Sequence, residues 1–403
     1  MGRRAGDDPL RGRHRRAVAQ DHPHGHRGER VKPNLWQTVG IASGVAGAAG
    51  AAVGVGVAAR RRNKIATERR RLAAQLTSTP PPEATARSEQ SSVTADDGVR
   101  LSCEEIEPPE GVRPVLTVVL VHGFALDRRT WTLQLPVLTS LRHPAVRVVM
   151  YDQRSHGRSE RAPRQTCTID QLGHDLDAVI RALAPDGPLV LVGHSMGGMT
   201  LMALAEQRPD LFAERVAGVA LVSTSAGEMG SGGLGAALLS RSNPLLRGIG
   251  LLARVQPRLV EGVRRAAGDV IWSITRAYAY GDRSVDPALV DLVDTMIGAN
   301  AVDALTDFVD TLGSHDRIAA LPALAGCEVL VAAGDADKMI PFSHSERMAG
   351  ELPSARLLRL SGVGHMPMME RPAEFDEALV ELVDRAARRA ASGRSVRRMR
   401  KRA

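Results

Sequence analysis

Six short apolar runs recur along the chain, near residues 116–122, 146–152, 188–194, 216–223, 327–333 and 355–360. They are rich in Val and Leu, as in Leu116-Thr117-Val118-Val119-Leu120-Val121. Continuous apolar runs of this length predict strands buried on both faces. Segments with helical periodicity lie between them. One begins at Thr168-Ile169-Asp170-Gln171-Leu172, where Thr168 stands at an N-cap position, and another runs from Pro372 to Ala391. Alternation of this kind predicts an α/β fold with a mostly parallel, doubly wound sheet. A hairpin is expected ahead of it, pairing Ser91-Ser92-Val93-Thr94 with Val99-Arg100-Leu101-Ser102 around Asp96-Asp97-Gly98. The interval 227–315 breaks the rhythm. It is too long for a loop and carries helical spacing, with Leu245, Leu246, Ile249, Leu251, Leu252, Val255 and Leu259 recurring between arginines.

The third strand of the parallel set runs into Gly193-His194-Ser195-Met196-Gly197-Gly198, followed by the helical Met199-Thr200-Leu201-Met202. Strand, tight turn and helix with a serine at the apex is the context of a nucleophile elbow. Residues bulkier than glycine at Gly193 and Gly197 would clash with the neighbouring strand and helix. Serine needs a base, and the base needs an acid to orient it. His365 follows the run 355–360 in Gly362-Val363-Gly364-His365, and Asp335 and Asp337 follow the run 327–333. All lie just after strands, whose ends share one edge in a parallel sheet. Asp335 can bind its own loop backbone, so Asp337 is assigned as the acid. The tetrahedral oxyanion of acyl transfer needs fixed N–H donors. Those of Met196, directly after the serine, and Phe124, in His122-Gly123-Phe124 after another strand, are the candidates.

His122-Gly123-Phe124, the segment Asp152-Gln153-Arg154-Ser155-His156-Gly157-Arg158-Ser159, the elbow, Gly334-x-x-Asp337 and Gly364-His365 occur in an order that resembles the α/β-hydrolase superfamily. The resemblance spans roughly residues 90–390 and is nearest to serine esterases, cofactor-free haloperoxidases (perhydrolases) and prolyl aminopeptidases. It implies a catalytic triad of Ser195, Asp337 and His365, and a structural role for Asp152 and His156. It also implies that 227–315 is a helical lid over the site. Trp272, Tyr278 and Tyr280 gather there in a chain that is 3% aromatic, and they are expected to line a substrate pocket. The apolar lid positions are read either as lid core or as a face for lipid-like chains.

Charge changes the picture at the ends. The net charge is +8, yet the two basic termini flank an acidic middle. That distribution argues against nucleic-acid binding and fits either an anionic membrane surface or solvated tails. Residues 38–59 carry no charge over 22 positions. This is long enough for a transmembrane or signal-anchor helix, the preferred reading over a cleaved signal peptide or a Gly/Ala linker. Seven Lys/Arg follow within 15 residues and three precede, a bias that keeps the hydrolase domain cytoplasmic. The signal-peptide alternative implies secretion. Expected boundaries are a basic, disordered tail at 1–37, the apolar helix at 38–59, a basic segment and Pro/Ser/Thr linker at 60–90, the hydrolase domain at 91–391 and a basic tail at 392–403. Cys103, Cys167 and Cys327 are dispersed and suggest neither a disulfide framework nor a metal site.

The expected function is cleavage of a carboxylic ester through an acyl-enzyme, with no metal or cofactor and a small-molecule ester as partner. Two alternatives stand beside it. One is a perhydrolase using the same triad, and the other is a non-catalytic ligand-binding protein on the same fold.

Overall fold

The computed structural model describes residues 88–228, 248, 251–252, 254–266, 275–282 and 285–400. An eight-stranded sheet organises them. Its strands are β1 (Ser88–Thr94), β2 (Arg100–Ile106), β3 (Leu116–Val121), β4 (Val146–Tyr151), β5 (Leu189–His194), β6 (Val216–Val222), β7 (Glu328–Gly334) and β8 (Arg356–Leu360). The spatial order is β1-β2-β4-β3-β5-β6-β7-β8. The expected hairpin forms β1 and β2, which are antiparallel, and β2 joins β4 antiparallel. Every pairing from β4 through β8 is parallel. The sheet is therefore the mostly parallel one that the apolar runs predict.

The helices are α1 (Gln134–Ser140), α2 (Ile169–Leu183), α3 (Met196–Gln207), α4 (Pro209–Glu214), α5 (Pro257–Ala266), α6 (Pro287–Ala299), α7 (Val302–Gly313), α8 (Ser343–Glu351), α9 (Pro367–Glu370) and α10 (Pro372–Arg400). Thr168 caps α2, its hydroxyl accepting the Gln171 N–H at 3.1 Å. α2 and α3 cover one face of the sheet in a cluster with Leu172, Leu176, Leu201 and Leu204. α10 and α1 cover the other, with Leu138, Phe375, Leu379 and Leu382. Burial on both faces explains why β3, β5 and β6 are apolar at nearly every position. α10 runs through Arg400, across position 392 where the basic tail was expected to begin.

Between β6 and β7, most of the described residues of the expected lid are helical. Leu251, Leu252, Val255 and Leu259 are 45–66% exposed there. Helical spacing alone cannot tell a buried stripe from an exposed one. Leu245, Leu246, Ile249 and Trp272 lie outside the described residues, as do 38–59. Among the described residues no helix is long and apolar enough to cross a membrane.

Candidate active site

The parallel strands present their C-terminal ends along one edge, and Phe124, Ser195, Met196, Asp337 and His365 follow those ends. Ser195 joins β5 to α3 with φ 52° and ψ −117°. A left-handed conformation at a non-glycine residue costs roughly 1–3 kcal/mol and is held only by its surroundings. Those surroundings are visible. The Ser195 N–H donates to the Val222 carbonyl at 2.9 Å, and the Ser195 carbonyl accepts from the Thr224 hydroxyl at 2.7 Å. A Cβ on Gly193 would lie 2.6 Å from the Gly197 backbone, and one on Gly197 would collide with the Val121 carbonyl oxygen. Both glycines are thus required by close backbone approach rather than by flexibility.

Met196 opens α3, so its N–H is among the four that the helix itself leaves unpaired. Phe124 follows Gly123, whose Cβ, if present, would lie 3.2 Å from the Ser195 Cβ. The two expected oxyanion donors therefore flank the serine, and among the described residues neither N–H has a protein acceptor. The positive end of α3 adds a field that favours negative charge at the same point.

His365 and Asp337 come together from the ends of β8 and β7. The His365 Nδ1 donates to the Asp337 Oδ2 at 2.8 Å, with both side chains nearly fully buried. Asp337 Oδ1 accepts two backbone N–H groups, from Met339 at 2.8 Å and Ile340 at 2.9 Å. One carboxylate oxygen is thus fixed by its own loop and the other is aimed at the imidazole. Asp335, the competing carboxylate, accepts the Gly362 N–H at 2.7 Å and pairs with Arg359. The Gly362 bond is the chief cause of its lowered pKa. It braces the loops after β7 and β8 against each other and does not contact His365.

Several positioning groups escaped the sequence reading. His194 donates from Nε2 to the His365 carbonyl at 2.9 Å, and the two rings lie 4.9 Å apart between centroids. Burial holds His194 well below the usual histidine pKa, so it stays neutral beside the His365 ring. Glu370 accepts N–H groups from Gly364 at 2.7 Å, Gly281 at 2.8 Å and Asp282 at 3.2 Å, fixing the loop that carries His365. Gln153 ties the Phe124 turn to α3. Its amide donates to the His122 carbonyl at 2.7 Å, and its carbonyl oxygen accepts from the Thr200 hydroxyl at 2.8 Å. Each of these residues is a common polar type in a motif or helix, and only the folded contacts distinguish it.

The other expectations divide. The Asp152 carboxylate accepts N–H groups from Arg128 and Arg158, each at 2.9 Å, and braces a turn. His156 is buried against Phe308, with ring centroids 5.2 Å apart. Burial pushes its pKa down to about 3. Tyr280 is a core residue rather than a pocket wall. It is 2% exposed, and its hydroxyl donates to the Leu289 carbonyl at 3.1 Å. Tyr278 is 36% exposed. Cys103, Cys167 and Cys327 are buried and free, and burial pushes the thiols of Cys103 and Cys327 up to about 12. They are thiols, not thiolates. Asp96, Asp97 and Asp175 cluster, yet the buried Arg154 guanidinium occupies the space between Asp97 and Asp175 with bonds of 2.6–3.0 Å.

A parallel sheet with a serine elbow on its central strand and an acid–imidazole pair on the same edge defines a hydrolase-type α/β protein. The chain belongs to the alpha/beta hydrolase family, whose model matches residues 118–378. It is 27% identical over 305 residues to the polyketide synthase ThaQ of Burkholderia thailandensis, covering 74% of this chain and 13% of that protein. It is also 27% identical over 282 residues to the dihydrolipoyllysine-residue acetyltransferase component of the acetoin cleaving system of Pseudomonas putida, covering 67% and 63% of the two chains. The chain thus spans less than two thirds of either relative. A thermophilic esterase from Thermogutta terrifontis, solved with malate bound, matches with a TM-score of 0.58 and 25% identity, over 74% of this chain and 99% of that one.

Proposed function

We propose that this protein is a serine hydrolase that cleaves a carboxylic ester through an acyl-enzyme. The observation that carries the reading is the buried Asp337–His365 pair at 2.8 Å on the sheet edge where Ser195 holds a left-handed turn. Asp337 fixes the Nδ1–H tautomer of His365, which leaves Nε2 free to take the Ser195 proton. Ser195 Oγ attacks the ester carbonyl, and the oxyanion is received by the Met196 and Phe124 N–H groups. His365 then returns its proton to the leaving alcohol. Water, deprotonated by the same imidazole, releases the acid and restores the serine. Each step draws on side chains and backbone alone. Full-length coverage of the Thermogutta esterase supports an ester as substrate. The uncharged run 38–59 supports membrane association and the Lys/Arg excess after it a cytoplasmic catalytic domain, for which we propose a lipid-like ester as substrate.

The test is covalent labelling by a fluorophosphonate probe, comparing the native chain with Ser195→Ala. Labelling that vanishes in the variant, together with hydrolysis of p-nitrophenyl esters, is the expected result. A native chain that neither labels nor hydrolyses any ester of a chain-length panel overturns the reading and favours ligand binding. Halogenation that requires hydrogen peroxide and acetate, without ester turnover, favours the perhydrolase.

A further inference from the structure

Asn300 occupies the break between α6 and α7, far in sequence from every residue of the site. It is 4% exposed, and all of its amide is used. Its Nδ2 donates to the Ala125 carbonyl at 2.9 Å and to the Met296 carbonyl at 2.8 Å. Its Oδ1 accepts the Gly157 N–H at 3.2 Å. One side chain thus joins three segments: the end of α6, the turn carrying Phe124, and the turn after β4.

The contact with Ala125 falls at a sensitive point. Gly123 to Leu126 form a β-turn closed by the Leu126 N–H on the Gly123 carbonyl at 3.3 Å. Phe124 and Ala125 are its central residues, and Ala125 has φ 61°. A left-handed residue at this position is the signature of a type II turn, which normally takes glycine or asparagine. Alanine there has no intrinsic preference for the turn, so an outside contact must hold it. The direction of the Phe124 N–H depends on the same turn. The packing around it also comes from the helical insertion, since the Phe308 ring of α7 lies 6.5 Å from that of Phe124 and 5.2 Å from that of His156.

We infer that Asn300 is a positioning residue for the oxyanion hole, through which the α6–α7 insertion sets the Phe124 N–H for transition-state binding. The inference rests on the serine-hydrolase reading and adds to it a dependence of the chemical step on the insertion. An amide is required because it must donate to two carbonyls and accept one N–H from a single planar group. A carboxylate in its place would face two carbonyl oxygens with an acceptor, and a leucine would leave all three partners unpaired.

The experiment compares native protein, Asn300→Asp, Asn300→Leu and Asn300→Ser. It measures kcat and KM on p-nitrophenyl acetate, affinity for a trifluoromethyl ketone that adds to the serine as an oxyanion, and the melting temperature. Thr295→Ala, on the exposed side of α6, is the control for general disturbance of the helix. Asn300→Asp and Asn300→Leu are expected to lower kcat about 10- to 100-fold, less than the roughly 100- to 1000-fold for outright loss of an oxyanion donor. KM stays within about twofold, ketone affinity falls in step with kcat, and Thr295→Ala stays within about twofold on all counts. Asn300→Ser, which keeps one donor, recovers part of the loss and guards against failure of the larger changes to fold. Variants that are folded yet keep native kcat and ketone affinity overturn the inference while leaving the hydrolase reading standing. So do losses in kcat without any loss of ketone affinity. A native protein inert to ester and fluorophosphonate alike overturns both.

Discussion

Replacing Asp337 by asparagine changes one atom and reverses the logic of the site. Asp337 Oδ1 accepts the N–H groups of Met339 and Ile340, so the asparagine carbonyl oxygen must take that place. Its NH2 then faces His365 Nδ1, where Asp337 Oδ2 now accepts at 2.8 Å. An amide donor there requires Nδ1 to be the acceptor, which moves the imidazole proton to Nε2. In the proposed mechanism that nitrogen receives the Ser195 proton, so the ground state would carry the wrong tautomer. The developing imidazolium also loses its anion. The same substitution in a Ser-His-Asp protease lowers kcat about 10⁴-fold, which corresponds to about 5.4 kcal/mol at 1.36 kcal/mol per decade. Because both loop bonds survive, the fold should be nearly unaffected. The assay is kcat on p-nitrophenyl acetate with a parallel thermal melt. The expected result is a loss of about 10³- to 10⁴-fold in a variant that still unfolds cooperatively in the parallel melt, since the isosteric amide keeps both loop bonds. A folded variant that retains more than a tenth of native kcat refutes the assignment of Asp337 as the orienting acid.

Two further predictions concern the scaffold. Asp175→Ala strands the Arg154 guanidinium, whose side chain is fully buried, and should destabilise the protein by about 3–5 kcal/mol in denaturant unfolding; a loss under about 1 kcal/mol would mean that Asp97 and Thr166 alone satisfy the arginine. His156 has a depressed pKa of about 3 and His315 one of about 4, both because burial disfavours the charged ring. The unfolded chain therefore binds more protons than the native one as pH falls from roughly 6.5 toward 3. Stability present above about pH 6.5 should be lost progressively through that window. The urea midpoint should drop between pH 7 and pH 4.5, and the drop should shrink in His156→Leu; an identical drop in the variant would rule out His156 as a source.

The legibility of this protein follows the range of the interactions involved. Val118 to Val121 read as a buried strand because two-sided burial demands an apolar residue at each position, a purely local requirement. The elbow was legible for a similar reason. Gly193 and Gly197 are imposed by backbone contacts within a few residues of the serine or by the adjacent strand. Scarcity of type is a poor guide at Tyr280, which is buried with its hydroxyl on the Leu289 carbonyl and beside the Met369 sulfur. Burial depends on what meets the residue, which periodicity does not encode.

The strands along the chain, the α/β class, and the serine, acid and imidazole that fall just after strands follow from local sequence alone. Backbone sterics and burial fix those within short windows. The tertiary structure brings Asp337, the acid already chosen from the sequence, onto His365 and turns Asp335 to the Gly362 N–H. Only it gave His194, Gln153, Thr200 and Glu370 their work, and brought Asn300 onto the Ala125 carbonyl across 175 residues. Those assignments rest on hydrogen bonds between segments distant in sequence. A polar side chain carries no local mark of its partner until the sheet edge and the helical insertion are brought together.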